Sequence, residues 1–108
     1  MIKFSDLVPK EEIEEGPEYD IVMIDTLMDQ LLAINRIRFY SRDGVDKVFI
    51  GFTTGQAIAT ASKPIMEQCM AIRTKLALED SKSMLPDTVE VTLKEMKSKN
   101  GRNYFIFV

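Results

Sequence analysis

The chain has 108 residues, 45% hydrophobic and 29% charged, with a formal net charge of −3, which fits one domain with one modest core. It holds a single cysteine and no histidine. That rules out an intrachain disulfide and removes the commonest general base, the commonest metal ligand and every Ser-His or Cys-His nucleophile pair, so neither an enzyme nor a cofactor- or metal-bound protein is expected. No apolar run approaches the roughly 20 residues that span a bilayer, and the acidic N-terminus is unlike a secretory signal, so a reducing, cytoplasmic location with no membrane partner is expected.

Charge divides the chain before any element does. Residues 1–20 hold seven acidic groups against Lys3 and Lys10, whereas residues 31–108 hold twelve Lys and Arg against eight Asp and Glu. The average therefore conceals an acidic arm on a mildly basic body. Residues 1–18 read as the arm and 19–108 as the folded domain. FSDL can cap a short helix, but Pro9, the acidic run and Gly16-Pro17 interrupt anything longer.

IVMI at 21–24 reads as a short strand or buried extended segment, and residues 25–30 as a turn or one helical turn. LLAINRIRFYS then alternates, with Arg36, Arg38 and Tyr40 on one face and Ile37 and Phe39 on the other. Leu32 and Ile34 share the parity of the arginines, so a bulge near Asn35 is needed to return them to the core. Asp43-Gly44 signals a hairpin turn into KVFIGFT, where Val48, Ile50 and Phe52 share a face. A turn at Thr54-Gly55 leads to the small-residue strand QAIAT. Ser62 and Pro64 punctuate the start of a helix of about four turns. Its apolar stripe is Ile65, Cys69, Ile72 and Leu76, widened by Met66 and Met70. The polar loop EDSKS follows, closed by Leu85-Pro86.

DTVEVTLKEM alternates strictly, with Val89, Val91 and Leu93 inward, and NYFIFV returns as the last strand. Between them Asn100-Gly101 predicts a two-residue turn. That turn pairs Lys99 with Arg102 and Lys97 with Tyr104, placing the Tyr104 ring among cations. Three strands, a helix and a hairpin make a mainly β fold, in the order of a five-stranded OB barrel with its helix between strands three and four.

Basic residues interleaved with aromatics on strands are the chemistry of single-strand binding: cations follow phosphates and flat rings stack on bases. The candidate residues are Arg36, Arg38, Tyr40, Arg42 and Lys47 on the first hairpin, with Lys94, Lys97, Lys99, Arg102 and Tyr104 on the last. Several cations aimed at one groove suffice, and the protein need not be basic overall. Phe39, Phe49, Phe52, Phe105 and Phe107 each read as core and Cys69 as a buried small hydrophobe.

Over residues 19–108 the chain resembles the small OB-fold single-stranded DNA-binding proteins of bacteriophages and mobile elements of Gram-positive bacteria. The matching stretches are EYDIVMIDTLMDQLLAI, the FYSRDG–KVFIGF hairpin, TASKPIMEQ, the Leu-Pro before the fourth strand and KSKNGRNYFIFV. The resemblance implies a protein without enzymatic activity. It would coat single-stranded DNA during replication or recombination in a bacterial host cell, with replication or recombination proteins and a second copy of itself as further partners. The chain departs from bacterial housekeeping relatives in ending on a strand, without an acidic, apolar-tipped tail. A different reading is a protein–protein adaptor or inhibitor that uses the acidic arm or the Met-rich helix. On the DNA reading the arm contributes nothing favourable to binding and competes for the basic groove.

Overall fold

The computed structural model describes residues 19–79 and 82–108, so the expectations for the arm, including its FSDL cap, lie outside the described residues. The elements are β1 (Asp20–Ile21), a 3-10 turn (Ile24–Leu27), β2 (Leu31–Arg42), β3 (Val45–Phe52), β4 (Gln56–Thr60), α1 (Lys63–Lys75), β5 (Met84–Lys97) and β6 (Asn103–Phe107). The strands form one sheet in the order β1-β4-β3-β2-β5-β6. Six strands replace the expected five because IVMI divides. Ile21 ends a two-residue strand parallel to β4, and Ile24 starts the 3-10 turn that buries Leu27.

The fold turns on β2. Its register shifts between Ile34 and Arg36, so Asn35 is the bulge that the apolar pattern requires. Leu32 and Ile34 before it and Ile37 after it all reach the core. The N-terminal half of β2 pairs with β5 and the C-terminal half with β3, and a bulge adds the local twist that helps a sheet curl. Val48, Ile50 and Phe52 of β3, Val91 and Leu93 of β5, and Phe107 of β6 all join one core. Each such side chain contributes about 1.5–3 kcal/mol on full burial. Among the described residues the result is a mainly β, curled, barrel-like sheet with one α-helix.

Ser62 occupies the N-cap position of α1 in extended backbone but makes no side-chain cap; its N–H instead donates to Thr60 Oγ1 at 3.1 Å. The helix buries Ile65 and Cys69 and is fastened to the sheet by polar contacts. The Gln68 amide accepts from the Phe107 N–H at 2.9 Å and donates to its carbonyl at 2.8 Å, occupying the edge of β6 as a paired strand would. Arg73 donates to the Ile37 carbonyl at 2.7 Å.

β5 begins at Met84, earlier than its alternating stretch suggests. Pro86 lies between the paired residues Met84 and Val89, where no ladder partner is assigned, so its missing N–H interrupts no recorded pairing.

The last hairpin corrects a predicted register. Gly101 has φ 79°, while Asn100 is not among the residues of positive φ. The Ser98 N–H donates to the Arg102 carbonyl at 2.8 Å and the Gly101 N–H to the Ser98 carbonyl at 2.9 Å. The loop is thus three residues with a left-handed glycine, and not a two-residue turn. Lys97 faces Asn103, and Tyr104 faces Met96.

Candidate nucleic-acid interface

Beyond the bulge, the alternation of β2 points Arg38, Tyr40 and Arg42 away from the core, and Arg36 has the same parity. On β3 the matching positions are Lys47, Phe49 and Gly51: Arg36 pairs with Gly51, Arg38 with Phe49 and Tyr40 with Lys47. Arg36, Arg38, Tyr40, Ser41, Arg42 and Phe49 line one open cavity of about 500 Å³. Five of the ten candidate residues are therefore brought together on this hairpin. No ion pair between described residues engages Arg38, Arg42 or Lys47.

Arg36 departs from expectation, for it is 9% exposed and does not project freely. Its Nε donates to Ser83 Oγ at 2.9 Å. Its guanidinium lies 6.0 Å from the Tyr19 ring centre and 5.8 Å from that of Phe49, the outer limit of useful cation–π range. It forms the floor of the face, with aromatic rings held against it.

Tyr19 is the residue that the pattern of strands missed. Its ring meets Phe49 edge-on at 5.6 Å, and its hydroxyl donates to Asn35 Oδ1 at 2.7 Å. It lies directly over Gly51, where a Cβ would come within 2.5 Å of the Tyr19 ring. A glycine inside an apolar strand signals close approach by another group, and Gly51 was that signal. The ring, the bulge residue and the glycine thus specify one another.

The other candidates sit elsewhere. β5 runs antiparallel to β2 with Thr92 opposite Leu31, so the β5–β6 hairpin extends past the start of β2, away from the Asp43-Gly44 turn. Lys94 is engaged by Asp29 at 2.6 Å. Lys97, Lys99 and Arg102 are exposed in and beside the loop. Tyr104 is half-buried opposite Met96, so the expected ring between cations is not formed. One residue of register makes the difference, because with Lys97 opposite Asn103 its side chain lies on the other face of the hairpin from Tyr104.

No family model, curated protein or solved structure matches this chain.

A second open cavity of about 520 Å³ lies between the same hairpin and α1, lined in part by Phe39, Tyr40, Met66 and Met70. Its charges are mixed: Lys47 and Lys63 are offset by Asp46 and Glu67. A polyanion is favoured by the first cavity and not by this one. Among the described residues no three His, Cys, Asp or Glu side chains gather to hold a metal ion. Burial pushes the Cys69 thiol up to about 12, which keeps it protonated and unreactive near neutral pH.

Proposed function

We propose that the protein binds single-stranded DNA, largely without sequence preference, through the outer face of β2 and β3, and that it coats or protects the strand during replication or recombination. The observation that carries the reading is the shared cavity of Arg38, Tyr40, Arg42 and Phe49 over the Arg36 floor, with Lys47 at its side. Cations spaced every second residue stand about 6.6 Å apart along a strand, close to the spacing of phosphates in an extended single strand. Tyr40 and Phe49 offer rings to bases that a duplex would keep stacked. Stacking reads every base alike, since every base has a flat face.

The proposal extends to the fold. Strands β2 to β6, in the order β4-β3-β2-β5-β6 with α1 following β4, have the connectivity of a five-stranded OB barrel, with β1 as an added edge. The OB binding face takes in its second strand and the loop before it, which here are β3 and the Asp43-Gly44 turn.

Fluorescence anisotropy with labelled oligo-dT and a duplex of the same length, at two salt concentrations, tests the function. The reading expects tight, salt-sensitive binding to oligo-dT and weaker binding to duplex. Equal affinity for both, or none for either, defeats it. A protein–protein adaptor is the competing function, and the exposed Met70 beside the mixed-charge cavity favours it. On that reading Met70→Glu abolishes activity and Arg38→Ala does not.

A further inference from the structure

The pairing of β2 with β5 ends at Arg36 opposite Met84. Ile37 is still served on that edge: its N–H donates to the Ser83 carbonyl at 2.8 Å, and its carbonyl accepts from Arg73 at 2.7 Å. Toward β3 the hydrogen-bonded positions are Arg38, Tyr40 and Arg42, counted from the two-residue turn that closes on Arg42 and Val45. The backbone groups of Phe39 and Ser41 therefore face the same edge as those of Ile37. Among the described residues no hydrogen bond engages the backbone of either. Two donors and two acceptors stand in line there, a template for one further strand.

The side chains along this edge define what fits it. Arg38 and Arg42 flank Tyr40 on the outer face. On the other face Phe39 and Ser41 line the cavity that α1 completes with Met66 and Met70. We propose that the open edge of β2 takes an extended segment of a partner protein as an added strand, with acidic residues opposite Arg38 and Arg42 and apolar residues opposite Phe39 and Ser41. In this mode main-chain bonds give attachment and alternate side chains give selectivity. Five residues, about 17 Å of strand, cover Arg38 to Arg42. The two arginines fall at the non-hydrogen-bonded positions of an antiparallel pair, where facing side chains are closest. Opposite charges attract there and like charges repel. A second copy is thereby disfavoured, because the antiparallel register that uses both Phe39 and Ser41 sets Arg38 of each copy opposite Arg42 of the other.

This inference stands apart from the nucleic-acid reading, although both use Arg38 and Arg42. Its test takes the full-length chain and the blocked peptide Gly-Glu-Val-Thr-Val-Glu-Gly, with amide hydrogen exchange followed by NMR. At a peptide concentration of about ten times Kd, exchange at the Phe39 and Ser41 amides should slow about tenfold. Exchange at Lys97, Lys99 and Arg102 should not change. N-methylation of both valines removes the donors to the Phe39 and Ser41 carbonyls and should abolish the protection. Replacing both glutamates of the peptide by Gln should weaken binding about three- to tenfold at low salt; unchanged affinity would overturn the acidic assignment. Equal binding by the N-methylated peptide would overturn the added strand. Protection of Phe39 and Ser41 without peptide would overturn the partner: if it grows with protein concentration a second copy holds the edge, and if it does not, another part of the same chain does. Peptide protection without oligo-dT binding would uphold the edge and reject the DNA reading. Oligo-dT binding without peptide protection would reject the edge and leave the DNA reading standing.

Discussion

The two β-hairpins begin from nearly the same turn signal and end as different surfaces. Asp43-Gly44 forms a two-residue turn with φ of 54° and 78°, the mirror-image geometry whose twist matches the strands. It holds Tyr40 opposite Lys47 and Arg38 opposite Phe49. Asn100-Gly101 places only the glycine at positive φ, takes a three-residue loop, and sets Tyr104 opposite Met96. The first hairpin alternates cations and rings on one lined face. The second carries its cations at an exposed tip and its ring beside a methionine. Equivalent composition therefore yields one concave site and one scatter of surface charge, and the turn decides which.

The largest effect is expected at the base of the first hairpin. Gly51→Val places a branched side chain where the Tyr19 ring lies. It should destabilise the protein by about 1–3 kcal/mol, lower Tm in a thermal melt, and weaken binding as the aromatic floor is lost. An unchanged Tm would show that Tyr19 is readily displaced and contributes no structure. Next comes Tyr40→Ala, expected to cost about 1–3 kcal/mol of oligo-dT affinity through lost stacking while leaving the salt slope nearly intact. Normal affinity in a folded Tyr40→Ala protein would remove the ring from the site.

Arg38→Ala should weaken binding to any sequence and reduce the salt slope by about 0.7, as for one phosphate contact on a single strand. A slope unchanged across a salt titration would assign Arg38 to the surface alone. Lys99→Ala and Tyr104→Ala form the smallest pair. Each should change affinity by less than about threefold, because neither residue lies in the lined face. Losses matching those of Arg38 and Tyr40 would mean that both hairpins grip the strand, as composition alone suggests.

How far the sequence was legible follows the same divide. The bulge at Asn35 was readable because Leu32 and Ile34 carry the wrong parity for burial, and core formation penalises that error at several positions together. Val89, Val91 and Leu93 were readable by simple alternation. The register beyond Lys97 was not. Ser98 to Arg102 are polar or glycine and nearly indifferent to a one-residue slip, so local loop bonds settled it. The outward face of β2 was legible as a set, but the covering of Arg36 was not, since it depends on Ser83, from 47 residues away, and on Tyr19. Tyr19 was hidden for a related reason. It precedes the first strand and belongs to no alternating pattern, and only the glycine beneath it marks its place.

The most direct test of the central claim is a heteronuclear NMR titration of the full-length protein with oligo-dT. Shift changes are predicted to concentrate on Arg38, Tyr40, Arg42, Lys47 and Phe49, with the Lys97–Tyr104 hairpin changing little. Changes centred on that hairpin, or on Met66 and Met70 of α1, with Arg38 and Tyr40 unmoved, would contradict it.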